Sequence, residues 1–131
     1  MSRREIREQI FKILFRAEFY EKDELEEQLS LSLQEIGEAR EQDSAYIVAK
    51  VRDICGHLEE TDGLINASAE KWKTSRMAKA ELAIIRLAVY EMKCEEEIPV
   101  SVAINEAVEL AKVYGSDHGA GFVNGVLAKM V

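Results

Sequence analysis

The N-terminal segment, residues 3–20, carries two apolar stripes at helical spacing. Side chains at positions i, i+4, i+7 and i+8 lie on one face of an α-helix. The first stripe consists of Ile6, Ile10, Ile13, Leu14 and Ala17, and the second of Phe11, Phe15 and Phe19. The two stripes together cover more of the helix than one core-facing arc. We therefore predict a first helix that packs on two sides or docks a partner.

The middle of the chain predicts shorter and less regular helices. Residues 21–42 are acidic and weakly periodic, so we expect one short helix and a loop, with a break at Gly37. Asp43 and Ser44 are suited to cap the next helix. The apolar positions of that helix are Ile47, Val51, Ile54 and Leu58. A further predicted helix begins after Thr61 or Asp62, and its apolar positions are Leu64, Ile65 and Trp72.

The most apolar segment is residues 78–92, preceded by Ser75 as a candidate cap. A helix that is apolar on almost all sides is typical of one surrounded by neighbours, so we predict that this is the central helix. Arg86 interrupts the segment and needs an acidic partner if it is buried, for which Glu91 and Glu106 are candidates.

Two further helices are predicted beyond residue 98. Pro99 suits the first turn of a helix, where its missing N–H would have no partner. We expect this helix to end at Tyr114, with Gly115 in a left-handed cap. The last helix follows the stretch GSDHGAG and carries Val123, Val126, Leu127 and Met130 on one face.

Composition favours an all-α fold. The chain has 7 glycines and 1 proline, too few for the turns that a sandwich or barrel needs every eight to twelve residues or so. Its 131 residues suffice for one domain with its own core, so we expect a single domain over residues 1–131. No signal peptide or long apolar run is visible, and Cys55 and Cys94 form no C-x-x-C pair. These features predict a cytoplasmic protein with reduced cysteines and no membrane partner.

Charge is distributed unevenly along the chain. The formal net charge of −8 argues against a protein that coats nucleic acid without specificity, because phosphate would be repelled. Residues 1–16 nevertheless hold five basic side chains against two acidic, whereas residues 17–70 hold four against fifteen. Positive charge is therefore concentrated at the N-terminus and negative charge in the middle.

The sequence lacks the arrangements typical of an enzyme. It has no nucleophile beside a base, no phosphate-binding glycine loop after a strand, and no cluster of metal ligands. The glycines of residues 115–121 lack the lysine of a P-loop and follow a helix. We expect no catalytic residues, no cofactor and no metal site.

Two features are compatible with RNA binding. Arg3, Arg4 and Arg7 fall within about 100° of arc on the first helix and form a cationic patch suited to phosphates. A solvated helix end without specific function explains the same pattern. Phe122 follows a glycine-rich stretch and suits stacking on an unpaired base, although an aromatic ring at a helix start is more often part of the core. Both interpretations stay open for each feature.

The C-terminal third of the chain resembles a known family. Residues 99–126, PVSVAINEAVELAKVYGSDHGAGFVNGV, are similar to the C-terminal signature of the NusB family of bacterial transcription antitermination factors. The blocks VAINEAVELAK and FVNGVL are the most specific, and IIRLAVYE before them is also similar. The resemblance extends over the whole chain, more weakly over residues 21–72.

The resemblance implies an all-α protein of about seven helices in two small bundles, without catalytic activity. It implies binding of the single-stranded boxA element of ribosomal RNA leader transcripts as a heterodimer with NusE, a protein of the small ribosomal subunit. Together with other Nus factors, the pair would help RNA polymerase to resist premature termination. The residues that it implies for RNA binding are Arg3, Arg4, Arg7, Tyr114, His118 and Phe122, and those for partner binding are Phe15 and Glu81. Because the chain is acidic, we expect its RNA affinity to depend on a basic partner.

Two other functions fit the sequence. One is a NusB-like helical module that serves an RNA-modifying enzyme such as a methyltransferase. No catalytic domain follows Val131 and no methyl-donor glycine motif occurs, so we expect the standalone adaptor instead. The other is a structural interaction module that associates with itself, as a homodimer, through the stripe of Phe11, Phe15 and Phe19.

Overall fold

The structure is helical. The computed structural model describes residues 1–36, 41–69 and 71–131. Over these ranges it contains seven α-helices and no β-strand. The helices are α1 (Arg3–Ala17), α2 (Leu25–Ile36), α3 (Glu41–Gly56), α4 (Leu58–Ser68), α5 (Lys79–Cys94), α6 (Val100–Tyr114) and α7 (Gly119–Ala128). Short 3-10 turns precede α2 and α5, at Lys22–Glu24 and Thr74–Arg76. The predicted all-α fold of about seven helices is confirmed.

The helices form two compact units, residues 1–56 and residues 57–131, as the family resemblance implies. In the first unit α1 packs against both α2 and α3. The buried residues of α1 come from both predicted stripes and are Ile10, Phe11, Ile13 and Leu14. Because both stripes contribute, the prediction that α1 packs on two sides is confirmed.

Helix α5 is the central helix of the second unit. It packs against α4, α6 and α7, and α6 also packs against α7. From Glu81 to Glu91 every residue of α5 is buried except Arg86, which is half-buried. The apolar pattern of residues 78–92 therefore predicted the centre of this unit correctly.

Arg86 is paired with Asp62 of α4. Its Nε and Nη2 donate hydrogen bonds to the two carboxylate oxygens of Asp62 at 2.8 and 2.7 Å. Burial raises the pKa of Asp62 to about 6 and lowers the pKa of Arg86, because both charged forms are partly removed from water. A bidentate pair offsets this desolvation. Asp62 is a partner that the sequence analysis did not name.

Two helix starts predicted in the middle of the chain are wrong. Asp43 and Ser44 lie within the first turn of α3, which begins at Glu41, and acidic side chains suit that end of a helix. Helix α3 ends at Gly56, so Leu58 begins α4 instead of extending α3. Helix α4 runs through residues 61 and 62 and does not start after them. The break predicted at Gly37 lies outside the described residues.

Other predicted boundaries also shift. Trp72 lies beyond the end of α4, and Ser75 belongs to the 3-10 turn, so neither the predicted helical position nor the predicted cap is correct. Pro99 is the N-cap residue of α6. Gly115 has φ −86° and ψ 177°, so the predicted left-handed cap is wrong. Its lack of a side chain matters for space, because a Cβ there would lie 2.7 Å from the carbonyl oxygen of Ala111.

Replacing Asp62 with alanine should lower the free energy of unfolding by about 2–3 kcal/mol, because Arg86 would lose its bidentate acceptor in a half-buried site. Urea denaturation followed by far-ultraviolet circular dichroism measures this loss. Glu59, an exposed carboxylate on the same helix, provides the control, and Glu59→Ala should change the free energy by less than about 0.5 kcal/mol. An unchanged midpoint for Asp62→Ala would show that the pair does not stabilise the unit.

Candidate nucleic-acid interface

The arginines of α1 follow a well-capped helix start. The Oγ atom of Ser2 accepts a hydrogen bond from the backbone N–H of Glu5 at 3.1 Å, and Oε1 of Glu5 accepts one from the backbone N–H of Ser2 at 3.1 Å. This reciprocal arrangement is a capping box. The hydrogen bond with the backbone of Ser2 is the main cause that lowers the pKa of Glu5, and the hydrogen bond with the Ser2 side chain lowers it further. The carboxylate that interrupts the arginine run is therefore used to begin the helix.

Arg3 and Arg4 are exposed, and Arg7 is half-buried one turn later. The helical period keeps all three within about 100° of arc. The N-terminal ammonium group binds Oδ2 of Asp43 in α3 at 3.1 Å, which fixes the start of the chain. The three arginines therefore lie in the first two turns of α1, the end of the helix at which the backbone dipole favours anions.

The aromatic stripe of α1 passes from the core to the surface. Phe11 is buried, Phe15 is half-buried and Phe19 is 62% exposed. The rings of Phe11 and Phe15 are stacked with centroids 6.1 Å apart, and Phe15 meets Phe19 edge-on at 5.3 Å. Phe15 is thus held in place by both neighbours, and the ring beyond it is left on the surface.

Glu81 organises the loop between α6 and α7. It is only 4% exposed, and its Oε1 accepts hydrogen bonds from the backbone N–H and the hydroxyl of Ser116, both at 3.0 Å. Burial raises the pKa of Glu81, but the hydrogen bonds from its own backbone and from Ser116 outweigh burial, so the net shift is downward. A Cβ on Gly119 would lie 2.9 Å from this oxygen. The loop can therefore approach the carboxylate only because glycine begins α7.

This loop positions the C-terminal candidates for RNA binding. Tyr114 is half-buried at the end of α6, His118 is exposed at the N-cap of α7, and Phe122 is half-buried in the first turn of α7. The carbonyl oxygen of His118 accepts a hydrogen bond from the backbone N–H of Phe122 at 3.0 Å. Phe122 is neither fully in the core nor fully in solvent, so part of its surface is available to a ligand.

A cavity of about 350 Å³ lies beside Phe122 in the second unit. Trp72 and Lys71 line it from the segment after α4, and α7 contributes Gly121, Gly125 and Lys129. The helical pattern of the sequence predicted Trp72 in a buried stripe and gave no role to Lys71 or Lys129. The sequence does contain a signal that this segment leaves the core, because Trp72 is surrounded by the basic residues Lys71, Lys73 and Arg76.

The predicted RNA-binding residues thus form two groups. The arginines of α1 belong to the first unit, whereas Tyr114, His118 and Phe122 belong to the second. Of the partner-binding candidates, Phe15 lies near the surface and Glu81 is engaged inside its own unit. The assignments of these residues to RNA and to a partner stay predictions.

In residues 1–36, 41–69 and 71–131, no three His, Cys, Asp or Glu side chains are grouped so as to hold a metal ion. None of the helices in the same ranges has the length and apolar character needed to cross a membrane.

Comparison with known proteins identifies the family. The model of the NusB family matches residues 4–131. The chain belongs to the NusB family. A transcription antitermination protein NusB from Agathobacter rectalis is 54% identical over 129 residues, which cover 98% of each chain.

Solved structures of NusB proteins have the same fold. A structure of T. maritima NusB superimposes with a TM-score of 0.90 at 35% identity, covering 99% of this chain and 90% of that one. A crystal structure of the antitermination factors NusB and NusE in complex with dsRNA gives a TM-score of 0.85 at 24% identity, covering 98% and 94% of the two chains. Membership in the NusB family accounts for the two helical units.

Glu81→Gln should lower the free energy of unfolding at neutral pH by about 1–2 kcal/mol, because the charge-assisted hydrogen bonds to Ser116 are weakened. The lowered pKa means that the carboxylate contributes fully above its ordinary value of 4.5 and loses its contribution as the pH falls through the folded-state pKa. Wild type should therefore lose more stability on acidification than Glu81→Gln.

Thermal and urea unfolding across a pH series test this expectation. Glu109→Gln is the control, since Glu109 is an exposed carboxylate paired with Lys112 at 3.1 Å. Equal acid sensitivity of wild type and Glu81→Gln would contradict the role assigned to Glu81.

Proposed function

We propose that this protein is a transcription antitermination factor that binds the single-stranded boxA element of ribosomal RNA leader transcripts together with NusE. The match of the family model to residues 4–131 carries the proposal. The 54% identical relative, named a transcription antitermination protein, supports it. Together with other Nus factors on RNA polymerase, in the bacterial cytoplasm, the protein helps elongation to resist premature termination. The two units act as one RNA-binding domain, and the role involves no catalysis.

RNA binding requires a positive surface on an acidic protein. The arginine patch of Arg3, Arg4 and Arg7 supplies phosphate contacts at a helix end that already favours anions. Tyr114, His118 and Phe122 supply aromatic contacts to bases. Since the net charge is −8, long-range repulsion opposes RNA binding by this chain alone. A basic partner that adds its own phosphate contacts offsets that repulsion.

NusE binding uses the surface that continues from Phe15. Phe19 and Tyr20, at the end of α1, are 62% and 47% exposed, which gives a partner an aromatic surface to cover. Because Glu81 is buried, it affects NusE binding by fixing the loop that follows α6. The same exposed rings allow a homodimer when NusE is absent.

Fluorescence anisotropy of a labelled boxA RNA tests the proposal. We expect weak binding by this protein alone and by NusE alone, and binding at least about tenfold tighter by the mixture, because the two proteins share the phosphate contacts. A scrambled single strand and the duplex form of boxA are the controls for sequence and strandedness. Absence of RNA binding in every combination would refute the proposed function.

Replacing Arg3 and Arg4 with glutamine should weaken RNA binding by the mixture and reduce the slope of log affinity against log salt by about 0.7 for each phosphate that is no longer bound. Arg52→Gln is the matched control, because Arg52 is also an exposed arginine of the first unit and its guanidinium binds both carboxylate oxygens of Glu26, at 2.8 and 2.6 Å. If the arginine variant keeps the wild-type slope, the α1 patch makes no phosphate contact.

A further inference from the structure

The cavity beside Phe122 has features that the packing of the second unit does not require. It has a volume of about 350 Å³, and both Trp72 and residues of α7 line it. Trp72 is 51% exposed, although exposing a large apolar ring to water is unfavourable. Ligand pockets are of this size and combine apolar walls with a few polar groups.

Trp72 is held in position although it is exposed. The guanidinium of Arg76 lies over its ring, 5.7 Å from the centroid. Nζ of the adjacent Lys73 donates hydrogen bonds to the carbonyl oxygens of Asn66 and Ala69, both at 2.8 Å, which ties the segment to the end of α4. Arg76 and the anchored Lys73 therefore restrain the part of the chain that brings the indole to the cavity.

Two of the α7 residues that line the cavity are glycines and have no side chain. Gly121 and Gly125 lie one turn apart, and a Cβ added to either would meet nothing within 4 Å. Neither glycine is needed to avoid a clash, although each costs helix stability relative to alanine. Their effect is to leave open backbone surface beside the half-buried ring of Phe122, with room for a flat group.

The charges at the cavity favour an anionic occupant. Lys71 and Lys129 are among its lining residues, and each carries a positive charge. A ligand with a flat aromatic part suits the rings of Trp72 and Phe122, and negative charges next to that part suit Lys71 and Lys129. An unpaired nucleotide in a single-stranded RNA has both properties, because every base has a π-face and is flanked by phosphates.

We propose that this cavity binds one unpaired base of the RNA, with the base against Trp72 and Phe122 and its flanking phosphates near Lys71 and Lys129. The inference rests on the proposed function and adds Trp72, the two lysines and the glycine wall to the RNA-binding residues. It extends the RNA path from Phe122 across α7 to the segment after α4.

Tryptophan fluorescence tests this directly, because the chain contains 1 tryptophan. Unlabelled boxA RNA added to the complex with NusE should quench Trp72 and protect it from acrylamide. The same complex carrying Trp72→Phe provides the blank for any signal from NusE. Trp72→Ala should weaken RNA binding about tenfold or more, whereas Trp72→Phe should stay within about threefold of wild type, since it keeps an aromatic face.

Two other variants separate binding from stability. Gly125→Leu fills the cavity without a clash at its Cβ and improves helix propensity, so it should weaken RNA binding at least about tenfold, as base stacking is prevented, while the melting temperature is kept or raised. Tyr46→Ala is the matched control, because Tyr46 is 45% exposed and has Nζ of Lys50 over its ring at 5.4 Å. It should leave RNA binding unchanged.

Wild-type affinity in both Trp72→Ala and Gly125→Leu would overturn the cavity proposal and leave the proposed function intact. Absence of RNA binding by the wild-type complex would overturn both. A change of Trp72 fluorescence on addition of NusE alone, without a further change on addition of RNA, would also overturn the cavity proposal, since it would identify a protein-binding site. Circular dichroism melts of every variant verify that it folds.

Discussion

Burial of α5 is the constraint on which the second unit depends. Almost every residue from Glu81 to Glu91 is shielded from water, so a polar group on this segment must find its partner inside the unit. Arg86 finds Asp62 on α4, and Glu81 finds Ser116 in the loop after α6. Helix α5 is thus tied by side-chain polar contacts to the helix before it and to the loop that leads into α7.

These two contacts also position the walls of the cavity. Glu81 fixes the loop from which α7 begins, and α7 carries Phe122 and the open face of Gly121 and Gly125. Asp62 holds α4 against α5, and the end of α4 anchors the segment that carries Trp72. Packed helices are rigid, so a binding surface at their ends has its side chains held in defined positions.

The first unit carries the arginines Arg3, Arg4 and Arg7 on a chain that is acidic overall. The capping box begins α1 immediately before Arg3 and Arg4, and uses the carboxylate of Glu5 to satisfy a backbone N–H. The acidic residues that follow are partly neutralised by ion pairs within the same unit, such as Arg52 with Glu26 and Arg16 with Glu35. The arginines of α1 thus lie on a chain whose net charge is −8.

The sequence by itself determined the helical class, the two-sided packing of α1 and the central position of α5, because each follows from the apolar period along one segment. The FVNGVL block and its neighbours also indicated the family. Only the tertiary structure decided that Arg86 pairs with Asp62, that Gly115 is extended, and that Trp72 lies beyond α4 and lines the same cavity as Phe122. Each of these depends on groups far apart in the chain or on space left by neighbours, which a periodic pattern does not record.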